Sequence, residues 1–244
     1  MLSEKFLMRL KHASGVTVLT GAGISADSGV PTFRGKDGLW QDKKVEELAT
    51  IEYFQKDPVQ FWKFYNWRRN LLKDVKPNLG HYALVDFERI YPEFNLITQN
   101  VDGLHKKAGN KKVVELHGNI MRDKCSECDN VVSEINLELT DPPKCSKCGS
   151  LMRPDVILYG ENLKSKDLSQ AQEMSATCEL FISIGTSSIV EPAASLPFAA
   201  KGNGAFLVEI NPEDTPLTEY ADEQLKGTSS NILAKLAIVL DKIH

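Results

Sequence analysis

The 244-residue chain has no apolar run that approaches the roughly 20 residues needed to cross a bilayer as a helix. A helical membrane protein is excluded. The chain also lacks a basic excess: 29 Lys and Arg stand against 33 Asp and Glu, a net charge of −4, which leaves no electrostatic footprint for nucleic acid. It has no internal repeat and no low-complexity tract, so solenoids and disordered arrays drop out. Residues 1–10 lack the layout of a signal peptide and read as an amphipathic helix. Cysteine is scarce, at five residues. Without a secretory layout these thiols are expected in a reducing, cytoplasmic compartment, where disulfides are rare. The apolar and charged shares, 42% and 25%, are those of an ordinary globular protein, and the length suits one large core or a large domain with a small insert.

What is present is an alternation of strand-like and helical patterns. Residues 4–13 predict a helix, 16–20 a strand, and 21–28 a turn running into a helix. Residues 36–80 read as helical with a break at Asp57-Pro58, and 81–90 as a helix on the spacing of Ala83, Leu84, Phe87 and Ile90. Further strands are expected at Phe94–Thr98, Val113–Leu116, Val156–Leu158, Leu180–Ile184 and Ala205–Ile210, with a helix before each of the last two and a closing helix over 229–242. Such alternation implies an α/β fold, a parallel sheet with helices on both faces. Residues 119–153 break the pattern: they are polar, carry cysteines and show no helical period.

The stretch from Val16 to Trp40 organises the rest. The apolar run Val16–Leu19 leads into Gly21, Gly23 and Ala26, which fit G-x-G-x-x-A. In a strand-to-helix turn this spacing lets backbone approach a pyrophosphate at a helix N-terminus. The alternative is a plain glycine-rich loop. A dehydrogenase would follow with a second strand ending in an acidic residue. Here Pro31-Thr32-Phe33-Arg34-Gly35 follows, which neither extends a helix nor reads as a strand. The loop therefore suits a dinucleotide but not hydride transfer.

Other loops carry chemistry of their own. Cys125-x2-Cys128 and Cys145-x2-Cys148, separated by 16 residues, have the spacing of a tetrahedral four-cysteine zinc site. Two disulfides or a redox pair are the rivals. Four thiolates leave no open position, so such an ion is structural. Cys178 lies outside the pattern and reads as a small buried residue. Gln99-Asn100-Val101-Asp102 follows a strand, where its amides and carboxylate can meet a ligand or simply make a turn. Gly185-Thr186-Ser187 and Asn211-Pro212-Glu213 also follow strands. Of the histidines 12, 81, 105, 117 and 244, none stands out by its surroundings alone. In Phe64-Tyr65-Asn66-Trp67-Arg68-Arg69, Tyr65 and Arg68 share a helix face that reads either as exposed or as a recognition surface.

Taken together, Gly21-Ala22-Gly23-Ile24-Ser25, Pro31-Thr32-Phe33-Arg34, Gln99-Asn100-Val101-Asp102 and Leu116-His117-Gly118 resemble the sirtuin family of NAD-dependent protein-lysine deacylases, over a match from about Val16 to the C-terminus. The resemblance implies a Rossmann-like NAD-binding domain from residues 1–35, 75–118 and 154–244, a helical acyl-pocket module at 36–74 and a zinc-binding module at 119–153. It implies NAD as co-substrate, one structural Zn2+ per chain and acylated-lysine proteins or peptides as partners. His117 falls on the family's general base, whose pKa near 6.5 suits proton abstraction around neutrality. In the family the acyl oxygen attacks C1′ of the nicotinamide ribose and nicotinamide leaves. The activated 2′-hydroxyl then takes the acyl group, giving free lysine and 2′-O-acyl-ADP-ribose.

Residue by residue, the resemblance places Asn100 beside His117 in catalysis, Asp102 on the nicotinamide amide, and Gln99 with Asn100 at its ribose. Gly21, Ala22, Gly23, Ser25, Ala26, Asp27, Phe33, Arg34 and Trp40 fall among the cofactor contacts, with Phe33 over the reacting ribose face. Gly185, Thr186 and Ser187 would hold phosphate and adenosine ribose, Asn211 and Glu213 the adenosine, and Ser229 would replace the alanine of a Gly-x-Ala adenine contact. Tyr65, Arg68 and small Ala49 look like the sirtuin class that removes succinyl and malonyl groups, the guanidinium and phenol matching an acyl carboxylate. The peptide would lie between the segment Val156–Glu161, where Tyr159 stands in place of the usual Phe, and the loop at Val190-Glu191. Rival functions are a protein ADP-ribosyltransferase and a non-catalytic binder of NAD or ADP-ribose.

Overall fold

In a computed structural model, residues 2–32 and 47–243 are described. The chain opens with α1 (Glu4–His12), capped by the Ser3 hydroxyl on the Phe6 N–H, and enters β1 (Gly15–Thr20), buried at every position. The helix after the glycine loop, α2, is short: Gly23–Ala26. Of the helical stretch expected over 36–80, residues 36–46 lie outside the described residues; the rest holds α3 (Ile51–Lys56) and α4 (Pro58–Leu72). The break lies at Asp57-Pro58, where the Asp57 carboxylate caps the Gln60 N–H at 3.0 Å and Pro58 occupies the first turn, which needs no N–H. The helix ends at Leu72, short of the expected residue 80. A new helix, α5 (Leu79–Ile90), starts from the reciprocal cap of Asn78 and His81.

Then follow β2 (Glu93–Thr98), α6 (Leu104–Ala108), β3 (Val113–Glu115), β4 (Gly118–Cys125), β5 (Val131–Val132) and β6 (Met152–Val156). The chain closes with α7 (Ser165–Thr177), β7 (Leu180–Ile184), α8 (Leu196–Gly202), β8 (Phe206–Asn211), β9 (Glu223–Lys226) and α9 (Ser229–Ile243). Six parallel strands form one sheet in the order β3-β2-β1-β7-β8-β9. Strand periodicity splits its apolar residues between two faces. Val16, Val18, Leu96, Ile182 and Val208 face α1, α5 and α9 through Phe6, Leu84, Phe87, Leu233 and Leu240. Leu19, Ile97, Phe181 and Leu207 face α7 and α8 through Ala171, Leu196 and Ala200. This is the Rossmann-like sheet covered on both faces.

A second core lies beside it. β4 pairs antiparallel with β5 and β6, from Gly118↔Val156 to Cys125↔Met152. Phe54, Phe61, Phe64 and Tyr65 of α3 and α4 pack on Ile120, Val156 and Leu158. The apolar Val156–Leu158 segment was expected as a parallel strand. Instead Val156 ends β6, in the small sheet, and the segment fills this second core. β9 was not foreseen, because its polar Glu223-Gln224-Leu225-Lys226 carries no strand period. Phe33, Arg34 and Trp40 lie outside the described residues. No described helix is long and apolar enough to cross a membrane.

Candidate active site

The strand order reverses about β1, whose neighbours are β2 on one side and β7 on the other. Crossovers diverge at such a switch point and leave a crevice at the carboxyl ends of the strands. Here the two loops meet backbone to backbone. Gly21 N–H donates to Ile184 O and Gly23 N–H to Gly185 O, both at 2.9 Å. A Cβ on Gly23 would lie 2.6 Å from Gly185 Cα, and Gly185 itself has φ +58°, so each position excludes a side chain. A cavity of about 1290 Å3 opens over this contact. Gly21, Ala22, Gly23, Ala26 and Asp27 line it from one loop, and Gly185, Thr186 and Ser187 from the other. Gln99, Asn100, His117, Asn211, Glu213 and Ser229 complete the polar wall.

These groups are tied to one another. Gln99 Nε2 donates to Thr186 Oγ1 at 3.1 Å, and Asn211 Nδ2 to Thr186 O at 2.8 Å. Asn100 Nδ2 donates to Gly21 O at 3.0 Å and to Ser25 Oγ at 3.3 Å. Asp27 accepts from the Ser230 hydroxyl. Ser229, at the start of α9, lines the cavity, and its hydroxyl is buried without a hydrogen-bond partner among the described residues. Asp102 and Ser25 border not the main cavity but a side pocket of about 40 Å3, shared with Asn100 and Arg68. There Ser25 Oγ donates to Asp102 Oδ2 at 2.7 Å and Leu104 N–H to Oδ1 at 2.9 Å. Burial raises the Asp102 carboxyl, and these two bonds pull it back.

The histidines differ by what surrounds them. His117 borders the cavity, and its Nδ1–H points at Gln99 O, 2.9 Å away, leaving the Nε2 lone pair uncommitted by that bond. Burial lowers its pKa and the Gln99 bond partly offsets this. His81 and His105 were not singled out by sequence. Their rings meet at 4.9 Å, tilted by 56°, beneath the site, with His105 Nε2 against Thr20 Oγ1 at 2.9 Å. Asn78 N–H donates to His81 Nδ1 at 3.3 Å, so the proton sits on Nε2, facing Ser25 Oγ. Thr20 and Thr98 are register partners at the ends of β1 and β2, their hydroxyls 2.9 Å apart. That pairing of two threonines at strand ends was the one signal available.

The cleft has an aromatic and basic end. Ala49, Tyr65, Arg68 and Val156 line the same cavity as His117. Tyr65 is 2% exposed, and the Arg68 guanidinium carbon lies 5.4 Å over its ring. Burial raises the phenol while Arg68 opposes this; burial lowers the guanidinium while Tyr65, hydrogen-bonded to it, opposes that. The reading of this run as an exposed face is thus overturned, with Trp67 alone of the aromatics in it well exposed.

At the far side the sulfurs of Cys125, Cys128, Cys145 and Cys148 all lie within 4.8 Å of one another, and all five cysteines are free. The pairs Cys125–Cys148 and Cys128–Cys145 stand at 3.4 and 3.7 Å. A tetrahedron with Zn–S bonds near 2.3 Å has sulfur edges of roughly 3.8 Å. The donor set fits a structural zinc ion. Glu127 N–H and Lys147 N–H, each at 3.4 Å, point at the sulfurs of Cys125 and Cys145, as outer-shell donors to thiolates do.

A Rossmann-like sheet with its cleft at the switch point and a zinc-ribbon module beside it define the class of protein. The comparisons then narrow it. Residues 21–192 match the Sir2 family. A relative in Aquifex aeolicus (strain VF5), named an NAD-dependent protein deacylase, is 53% identical over 222 residues, which is 91% of this chain and 93% of that one. A crystal structure of a Sir2 homologue–NAD complex superposes with TM-score 0.91 at 42% identity, covering 99% of this chain and 95% of the other. A structure described as Sir2–p53 peptide–NAD+ gives 0.86 at 35% identity, with 97% of each chain covered. The chain belongs to the Sir2 family, the sirtuins.

Two predictions follow from the side-chain environments. Purified protein should contain about one zinc per chain by metal analysis, and Cys145→Ser should release it and lower the melting temperature; full stability without metal contradicts the assignment. Burial pushes the His81 imidazole down to about 4, against about 6.5 when unfolded. Above pH 6.5 neither state binds the extra proton. Between 6.5 and 4 the unfolded chain binds it first, so stability falls with pH, by roughly 3 kcal/mol in all from this group. Urea midpoints should drop as the pH is lowered across that window, and His81→Gln should reduce the loss, leaving the part due to His105 and His117, which burial also lowers.

Proposed function

We propose that this Sir2-family chain is an NAD-dependent protein-lysine deacylase that prefers succinyl and malonyl groups, with acetyl a secondary substrate. The family and the deacylase names of its relatives support the activity. The observation that carries the acyl preference is Arg68, held against Tyr65 in the wall of the cavity that also contains His117 and Ala49. A guanidinium offers a planar fork to a carboxylate, and a phenol adds a donor. Small Ala49 leaves room for the longer acyl chain.

In this reading the bound NAD supplies the ADP-ribosyl acceptor, one water is consumed as the amide C–N bond breaks, and the products are nicotinamide, free lysine and 2′-O-acyl-ADP-ribose. Asp102, its charge turned to the side pocket by Ser25 and Leu104 N–H, accepts from the carboxamide. Asn100 and Gln99 hold the adjoining ribose, Ala22, Gly23, Ala26 and Asp27 border the phosphates, and Gly185 to Ser187 take up phosphate and the second ribose. Asn211, Glu213 and Ser229 border the adenosine. Phe33, Arg34 and Trp40 are proposed cofactor contacts from resemblance alone. The substrate backbone lies between Val156–Glu161 and Val190-Glu191, both of which line the cavity. His117 Nε2 takes the ribose hydroxyl proton, its ring oriented by the bond from Nδ1–H to Gln99 O.

Because burial lowers His117, its base form persists into weakly acidic solution. The acid limb of kcat/KM should therefore fall below the free-imidazole 6.5, and His117→Ala should abolish turnover while NAD still binds. An acid limb above 7 contradicts the assignment.

Arg68→Met should separate the acyl groups. It keeps bulk and removes the charge that meets the distal carboxylate. A lost charged hydrogen bond is worth about 1.5–3 kcal/mol, so succinyl kcat/KM should drop roughly tenfold or more, mainly in KM, since the contact exists in ground and transition states alike. Acetyl kcat/KM should hold or rise. An equal fall for both matched peptides sinks the acidic-acyl reading.

A further inference from the structure

Helix α4 turns two faces to two neighbours. Tyr65 and Arg68 line the cleft, whereas Trp62, Asn66 and Arg69, at i, i+4 and i+7, face the cysteine module. The Trp62 indole N–H and Asn66 Nδ2 both donate to the Leu139 carbonyl, at 3.1 and 2.8 Å. Leu139 lies in the loop that leads from β5 to Cys145. Arg69, with its side chain fully buried, reaches acceptors on β4, the strand that ends in Cys125. Its Nε donates to Ile120 O at 2.7 Å, and its Nη2 to Arg122 O at 3.1 Å and to the Asp123 carboxylate. The remaining nitrogen, Nη1, donates to Asn66 Oδ1 at 3.1 Å, and the guanidinium carbon lies 5.2 Å over the Trp62 ring.

A buried ion pair adds little net stability over apolar residues of similar volume. The apolar packing of α4 is already supplied by Phe61, Phe64 and Tyr65. What the polar set adds is direction: each bond fixes the rotation of α4 about its axis against the module. Asn66 follows Tyr65 and Arg69 follows Arg68. Any rotation that swings the cleft pair breaks bonds to Leu139, Ile120 and Arg122.

We infer that Trp62, Asn66 and Arg69 are positioning residues that set the acyl-recognition pair through the cysteine module, so that selectivity depends on a face of the helix that touches no substrate. The inference rests on the acidic-acyl reading of Tyr65 and Arg68. It is tested on the zinc-loaded enzyme with Trp62→Phe, which keeps an aromatic ring but removes the indole N–H together with part of the buried ring volume, and with Asn66→Ala, Arg69→Lys and Arg69→Met. Measured quantities are kcat and KM for matched acetyl and succinyl peptides, KM for NAD, succinyl-peptide binding by fluorescence anisotropy, zinc content and melting temperature.

Trp62→Phe and Asn66→Ala should raise the succinyl-peptide KM and weaken its binding about three- to tenfold, the loss of one or two hydrogen bonds. The acetyl peptide, the NAD KM and the zinc content should change less than about twofold. Arg69→Lys should retain part of the succinyl preference that Arg69→Met loses. An unchanged succinyl-to-acetyl ratio, or both activities falling in step with melting temperature, overturns the inference. Arg68→Met in the same series separates the two failures. If it shifts the ratio and the clamp variants do not, only the positioning role falls. If Arg68→Met leaves the ratio unchanged, the acidic-acyl reading falls and the inference with it.

Discussion

Backbone contact among Gly21, Gly23 and Gly185 is the constraint on which the cleft depends. Two strand-end loops approach until Cα meets Cα, and a Cβ on either of the first two would fall within 3 Å of the other loop. No side chain fits at these three positions, so main-chain groups face the cleft there. The sheet order places this contact: β1 and β7 are neighbours whose following segments depart in different directions and leave a crevice, and the glycine loops close its floor. Much of the polar wall then hangs from strand ends. Gln99 and Asn100 follow β2, His117 follows β3, and Asn211 ends β8.

Burial does the sorting among like residues. His81 and His105 sit beneath the site, neutral and bonded to threonine and serine hydroxyls, while His117 borders the cavity with one nitrogen engaged by a backbone carbonyl. The consecutive arginines of α4 divide in the same way. Arg69 is committed to carbonyls and a carboxylate of the small module, and Arg68 lines the cleft. Such prearranged donors cost no reorganisation when a ligand arrives, which is the physical basis of electrostatic preorganisation.

The parallel sheet was legible because its strands are apolar on both faces and end in glycine, asparagine and threonine. The cysteine cluster was legible from spacing alone. What stayed hidden depends on long-range pairing. β4 and β6 lie far apart in sequence and join through a register that shifts between Asn119 and Asp123, so neither shows a simple alternation. β9 is a polar edge strand. Val156–Leu158 looks like a sheet strand until the aromatic face of α3 and α4 is brought to it. In the site, the motif loops were readable as loops, but the threonine pair, the adjoining histidines and the division of labour between Arg68 and Arg69 appear only once β2, α4 and β4 are in place.

The most direct measurement is a mass-spectrometric assay of the wild-type enzyme with NAD and one lysine peptide carrying acetyl, malonyl, succinyl or glutaryl in turn. A deacylase with an arginine-lined acyl pocket frees the succinyl and malonyl peptides faster than the acetyl peptide and yields an equivalent of acyl-ADP-ribose and nicotinamide for each lysine released. Faster turnover of the acetyl peptide, or ADP-ribose appearing on the peptide while its acyl group stays in place, contradicts it.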